Sequence, residues 1–290
     1  MFQLNSNLKI VATILAKDEE DIIGKNIEHH INQGVKYFIV TNNRSKDKTK
    51  NIIESYPEVC EIIEEQGEDH NQSEWVTKMA RVACKLKPDW IIHLDADEFW
   101  CGLNNLKNIP VKYVSSPRMF LHPPVGCEFD QIKMRYYLDF ENFHDLPGEC
   151  KVAHRPDPDI VIKHGNHSFD GINNVHYANT IWRHHYPIRS YSQFVKKAVE
   201  GHESLLKRSA ICDRWKKWYD LYNFGLLEDL YKKVCQSWSN MIKKPNKEDL
   251  ANLLEFWSTP ETISYIIGKN LLPNIGEWPK KIIKKEGRSG

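Results

Sequence analysis

The run Asp95-Ala96-Asp97-Glu98 closes an apolar stretch, Trp90-Ile91-Ile92-His93-Leu94. Two carboxylates one residue apart, at the end of a buried strand, offer hard oxygen ligands suited to Mg²⁺ or Mn²⁺. A divalent cation held there can bridge two phosphates and neutralise charge building on a departing diphosphate. The alternative is an acidic turn capping the helix that follows. Spacing alone does not decide, because an Asp-x-Asp arises often by chance. Its position at the end of a strand in an alternating series favours the metal.

That series occupies the first hundred residues. Lys9 to Leu15 is a β-rich apolar run, too short for a helix. Asp18 to Gln33 carries Ile22, Ile23, Ile27 and Ile31 at helical spacing, and Gly34 ends it. Strands are expected at Tyr37 to Thr41, Val59 to Glu64 and Trp90 to Leu94. Helices are expected at Thr49 to Ser55, closed by Pro57, and from Ser73, with Val76, Met79, Ala80 and Ala83 on one face. Such alternation implies right-handed crossovers and an α/β domain built on a mainly parallel sheet. Ligands of such sheets bind beyond the carboxyl ends of the strands. Three polar loops fall there: Ala16 to Glu20, Asn42 to Lys48 and Asp95 to Phe99. From Val111 to His185 the pattern weakens, with short β-like runs at Val111 to Val114, Asp159 to Ile162 and Thr180 to Trp182. That region reads as irregular and partly antiparallel. From Ser190 onward it becomes helical, and Thr259-Pro260-Glu261 resembles a helix start. The expected division is therefore a catalytic domain over residues 1–189 and a helical C-terminal region over 190–290.

Composition narrows the class. The chain has 290 residues, 41% hydrophobic and 27% charged, which suits a globular protein rather than a disordered one. A formal net charge of +1 speaks against a nucleic-acid binder. Seven cysteines, an odd number with no Cys-x-x-Cys pair, exclude a fully paired disulfide framework and favour a reducing compartment. No apolar run reaches transmembrane length, so the expected location is the cytoplasm. The basic run from Lys280 to Lys285 offers peripheral contact with an anionic inner membrane face, or is simply a solvated tail.

Three segments resemble family 2 glycosyltransferases. Ile14-Leu15-Ala16-Lys17-Asp18-Glu19 is similar to their opening strand and turn, and Asn42-Asn43-Arg44-Ser45-Lys46-Asp47-Lys48-Thr49 to their second-strand loop. His93-Leu94-Asp95-Ala96-Asp97-Glu98-Phe99 matches their Asp-x-Asp segment. The later run from His185 to Tyr191, with Gln193, Phe194 and Lys196, resembles one bacterial subgroup. The resemblance covers about the first two-thirds of the chain. It implies a GT-A (Rossmann-like) fold, a nucleotide-sugar donor, Mn²⁺ or Mg²⁺, and inversion at the sugar carbon. The acceptor would be a glycan, a lipid-linked sugar or a small molecule, in glycan or polysaccharide biosynthesis. By position, Asp97 would bind the metal, and Asp95 would sit near the metal or the ribose. Asn42 and Asn43 would face the nucleobase, where the family often has Asp. Lys17, at the first strand's end, can reach a phosphate or stay solvated.

Members of this fold often add a late histidine to the metal's ligands. His185 ends a β-like run before a proline turn, and His167 lies in the turn-like Gly165-Asn166-His167-Ser168; His185 leads. Neutral imidazole suits a borderline cation. His164, His176 and His184 read as surface or core histidines. Lys151 and Arg155 are candidates for the donor diphosphate, Arg155 through its fork geometry or in a structural pair. An inverting transfer needs a general base, and Asp139, Glu141, Asp145 and Glu149 are carboxylates beyond the Asp-x-Asp. Asp145 and Glu149 lead because Pro147-Gly148 sets them in a turn. Two other readings remain. A nucleotidyltransferase can share the sheet and carboxylates, although Ala16 to Glu20 lacks the glycine-rich loop it would carry. A non-catalytic sugar- or nucleotide-binding protein of the same fold is the other.

Overall fold

The structure, a computed structural model, describes residues 8–65, 71–116, 118–126, 128–130, 133–140, 150–208, 213–257 and 274–277. In chain order the elements begin β1 (Ile10–Ala16), α1 (Ile23–Asn32), β2 (Val35–Asn42), α2 (Thr49–Glu54), β3 (Val59–Glu64) and α3 (Gln72–Lys85). Next come β4 (Trp90–Asp95), β5 (Glu98–Cys101), β6 (Tyr113–Ser116), β7 (Arg118–Leu121), β8 (Tyr136–Phe140), β9 (Lys151–His154), β10 (His176–Tyr177) and β11 (Trp182–His185). Four helices follow, α4 (Tyr191–Arg208), α5 (Asp213–Asn223), α6 (Leu227–Lys243) and α7 (Lys247–Trp257), and then β12 (Asn274–Glu277). The chain divides into two compact units, Met1–Phe120 with Glu141–His185, and Leu121–Phe140 with Tyr186–Gly290.

The first unit is α/β. Its seven-stranded sheet has the order β10-β6-β9-β4-β1-β2-β3. β1 is parallel to β2 and β4, and β2 is parallel to β3. β9 runs antiparallel to both β4 and β6, so it is the one reversed strand in a mainly parallel sheet. β1 and β4 read as nearly continuous apolar runs because both faces of a central parallel strand are covered. Val76, Met79, Ala80 and Ala83 of α3 are buried together with Val11, Ile39 and Ile91 of the sheet. The apolar stripe expected of that helix is therefore its packing face. α1 contacts β2 and β5 instead.

Beyond Asp95 the structure is more ordered than the sequence suggests. Glu98 and Phe99, expected in the polar loop from Asp95 to Phe99, instead open the fully buried strand β5. It pairs antiparallel with β11, placing His185 opposite Glu98 and Arg183 opposite Trp100, and β7 lies beside β11. The expected strand at Asp159 to Ile162 reduces to a single bridge between Ile162 and Phe169. β9 was not foreseen at all. The second unit holds α4 to α7 and the antiparallel pair β8–β12. No helix among the described residues is long and apolar enough to cross a membrane.

Candidate active site

β1, β2 and β4 end at one edge of the sheet. Ala16 is level with Asn42, and Leu15 with Asp95. The loops that follow β1 and β2 are tied together by hydrogen bonds. The Asn43 N–H donates to Ala16 O at 2.9 Å, and the Asp18 N–H to Ser45 Oγ at 3.0 Å. Asp18 Oδ1 accepts the N–H groups of Lys46 (2.6 Å) and Asp47 (3.3 Å), and the Glu19 N–H donates to Thr49 Oγ1 at 2.7 Å. Asp18 and Arg44 both hold positive φ, 55° and 51°. Left-handed backbone at residues other than glycine is strained and persists only where the surroundings enforce it, as these bonds do. Lys17 is exposed at the end of β1. Asn42 is buried, with Nδ2 donating to Glu64 Oε2 at 2.9 Å and Oδ1 accepting the Ser45 N–H at 3.3 Å. Asn43 is also buried, and its Oδ1 has no hydrogen-bond partner among the described residues.

The acidic run sits in a dense group of charges. Asp95 uses both carboxylate oxygens: Oδ2 takes the Lys151 ammonium at 2.5 Å and Oδ1 the Asn166 Nδ2 at 3.0 Å. Lys151 also donates to Gly165 O at 2.6 Å and lies 3.8 Å from Glu98 Oε1. Arg183 Nε stands 3.4 Å from Glu98 Oε2, both side chains being almost wholly buried, and Arg183 Nη1 donates to Ser116 O at 2.7 Å. Burial by itself would lower the Lys151 pKa; the Asp95 and Glu98 carboxylates outweigh it and hold the pKa above its ordinary value. Lys151 is thus placed inside the charge group. Its ammonium is enclosed as the counter-ion of Asp95. Asp95 keeps free lone pairs on both oxygens beside these two contacts, and its side chain is 31% exposed. Asn166 reaches Asp95 from a turn in which Gly165 and Asn166 have φ of 75° and 60°. A Cβ on Gly165 would collide with the His167 ring at 2.3 Å, so this tight turn needs glycine there.

Asp97 and His185 meet next to this group, with His185 Nε2 3.6 Å from Asp97 Oδ2. Their side chains are 10% and 24% exposed, so an ion could approach them. The β5–β11 register makes the pairing, by setting His185 against Glu98, the neighbour of Asp97. Two atoms bound to one cation at ~2.0–2.2 Å stand no more than ~4.4 Å apart, and the observed separation lies inside that limit. Asp95 and Glu98 share the two fixed cations Lys151 and Arg183, while Asp97 faces the His185 ring. One carboxylate and one imidazole at this separation are compatible with a divalent cation whose other ligands are not protein side chains. Among the described residues no three His, Cys, Asp or Glu side chains converge as a complete protein cage. His167 donates Nδ1–H to Cys150 O at 2.8 Å, which leaves Nε2 as the lone-pair nitrogen. Burial first, and then the Lys151 charge, push its pKa down to about 4, so it is neutral at pH 7.

The remaining candidates scatter. Arg155 follows β9 at the level of the start of β4, the end away from Asp95. Its Nη2 donates to Ile109 O at 2.8 Å, its Nε to Val111 O at 3.3 Å, and its guanidinium lies 4.8 Å from the Trp90 ring. Arg155 is therefore a structural arginine, because the reversed direction of β9 carries it away from the acidic run. His164 and His176 are exposed, and His184 is buried with its ring 4.7 Å from that of Phe120. Asp145, Glu149 and Glu141 lie outside the described residues, as do Thr259-Pro260-Glu261 and the basic run from Lys280. The sequence reading missed Glu98, Arg183 and Asn166 as parts of the charge group. It also missed Asn26, His29 and His30 of α1, all buried against the backbone of residues 95–100. Their spacing, i, i+3 and i+4, is that of one helix face, and that was the available signal.

No protein-family model matches the chain, and no curated protein matches it. Among solved structures it is similar to S. aureus TarS, residues 1-349, at 12% identity, over 89% of this chain and 83% of that one, with a TM-score of 0.36. It is similar to a mycobacterial protein at 16% identity and TM-score 0.28, over 42% of this chain and 43% of that one, less than half its length. It is also similar to HddC from Yersinia pseudotuberculosis at 14% identity and TM-score 0.27, over 52% of this chain and 70% of that one. Likenesses this loose carry no argument about activity.

Proposed function

We propose that the chain is a metal-dependent, inverting glycosyltransferase that moves a sugar from a nucleoside-diphosphate donor to a hydroxyl acceptor. The observation that carries this reading is the Asp97–His185 pair beside the carboxyl ends of β1, β2 and β4, where ligands of parallel sheets bind. The resemblance of the three loops to family 2 glycosyltransferases supports it. Asp97 and His185 would hold Mn²⁺ or Mg²⁺, the rest of the shell coming from donor oxygens and water. The bound cation would supply positive charge against the donor diphosphate. Asn43 offers its unpartnered Oδ1 to the donor's base, while Asn42 shapes the loop through Glu64 and Ser45. Lys17, exposed at the same edge, would reach phosphate oxygens. Asp95 orients the acidic run through Lys151 and Asn166. Asp145 or Glu149 would take the proton from the acceptor hydroxyl. The acceptor would be a glycan, a lipid-linked sugar or a small molecule, handled in the cytoplasm or at its membrane face.

Calorimetric titration with nucleoside diphosphates, with and without Mn²⁺, tests the reading. Binding should need the metal and should disappear in Asp97→Asn and His185→Ala. Equal binding without metal, or unchanged binding in Asp97→Asn, removes it. Pyrophosphate release from a nucleoside triphosphate and a sugar phosphate would instead mark a nucleotidyltransferase. Metal-dependent binding without turnover of any nucleotide sugar would mark a binding protein.

A further inference from the structure

We infer that Asn26 of α1 is a positioning residue for the cation site: it sets the backbone from which Asp97 projects, without itself touching the ion. The inference rests on the reading of Asp97 and His185 as cation ligands. Asn26 is fully buried, and its Nδ2 faces three backbone carbonyls of the acidic run, Glu98 O at 2.9 Å, Ala96 O at 3.0 Å and Asp95 O at 3.4 Å. One side-chain amide therefore gathers the carbonyls on either side of Asp97. Its Oδ1 has no hydrogen-bond partner among the described residues. A buried acceptor left unmatched is costly, and its presence indicates that the amide is oriented by the carbonyls.

The same helix grips the next stretch of chain. The Asn26 carbonyl accepts His30 Nδ1–H at 2.8 Å, and His30 Nε2 accepts the Trp100 N–H at 3.1 Å. His29 Nε2–H donates to Trp100 O at 2.8 Å. The backbone is thus held by α1 at residues 95–98 and again at residue 100, one position on each side of Phe99. Trp100 pairs with Arg183 and Glu98 with His185 across the β5–β11 ladder. The placement of β5 on α1 therefore fixes where His185 arrives relative to Asp97. Hydrophobic packing alone would secure β5 without specifying the turn that precedes it. Three carbonyls converging on one donor specify that turn.

The test measures Mn²⁺ binding to the full chain by electron paramagnetic resonance, with and without a nucleoside diphosphate, alongside the melting temperature. Asn26→Ala should weaken Mn²⁺ affinity roughly 10–100-fold, the usual effect of losing a group that orients a metal ligand. Met79→Ala, a cavity in the core beneath α3, is the control: it should lower the melting temperature and leave Mn²⁺ affinity unchanged. If Asn26→Ala does not fold, Asn26→Ser, which keeps a short donor, takes its place with the same expectation. Unchanged Mn²⁺ affinity in a folded Asn26 variant overturns the inference and leaves the proposed function standing. Equal weakening by Asn26→Ala and Met79→Ala also overturns it, since the effect would then follow stability alone. A wild-type chain that binds no Mn²⁺ under either condition overturns both readings.

Discussion

Removing the Lys151 ammonium would leave Asp95 with Asn166 and Glu98 with Arg183. Asp95 and Glu98 both face it, and its own side chain is 4% exposed. Asp95 is 31% exposed and Glu98 keeps Arg183, so the cost is below that of a fully buried pair broken from one side, at about 1–3 kcal/mol. Lys151→Ala should therefore lower the urea unfolding free energy by about that amount. Lys151→Ala as stable as wild type would mean that Asp95 and Glu98 find other partners. A loss of nucleotide binding with stability intact would mark Lys151 as a phosphate ligand. The acidic run was plain in the sequence because its residues are adjacent. Its counter-ion was not, because 56 positions separate Asp95 from Lys151 and only the reversed strand β9 closes that gap. Lysine near an acidic motif could serve phosphate or carboxylate, and residue type alone does not choose between them.

At the scale of elements, α1 shows how far periodicity carries. Its isoleucine stripe was readable, with Ile22, Ile23 and Ile27 all fully buried. The stripe of Asn26, His29 and His30 beside it has the composition of a solvent face, yet it is buried against the acidic run and β5. A helix is expected to turn polar residues outward unless backbone groups wait to receive them, and the sequence does not display those groups. β9 was hidden for a related reason: Lys-Val-Ala-His has neither the length nor the alternation that marks a strand. The buried histidines of α1 have a consequence for pH. Burial pushes His29 down to about 4 and His30 well below its ordinary value. The native state refuses protons that the unfolded chain accepts near pH 6.5, so stability is complete above that pH and falls as pH drops toward 4. For His29 the loss across this window is on the order of 3 kcal/mol. The urea midpoint at pH 5 should lie clearly below that at pH 7. His29→Gln keeps a donor for Trp100 O but does not titrate, so it should flatten part of the slope. An identical slope in that variant would assign the pH dependence to other groups.

At the scale of the whole molecule, the first unit contains Asn43, Asp95, Asp97, Lys151, Asn166 and His185, drawn from the loop after β2, β4, the turn after β4, β9, a 3₁₀ turn and β11. The alternating pattern of the first hundred residues announced the part of this assembly that parallel crossovers build. The rest depends on returns of the chain after residue 110, where no local signal reports which strand will pair with which. A ligand favours the state that binds it, by RT ln(1 + [L]/Kd), about 2.7 kcal/mol at a hundredfold excess over Kd. That free energy goes to the elements whose opening would release the ligand. Hydrogen exchange with Mn²⁺ and a nucleoside diphosphate should therefore slow at residues 16–20, 42–48, 95–100 and 182–185, with α6 unchanged. β9 is the decisive segment, because Lys151 is tied to Asp95. Slower exchange there would show the acidic run passing its restraint along the ion pair. Protection confined to α6, with the carboxyl edge of the sheet exchanging as before, would move the ligand out of the first unit and end the case for the Asp97–His185 site.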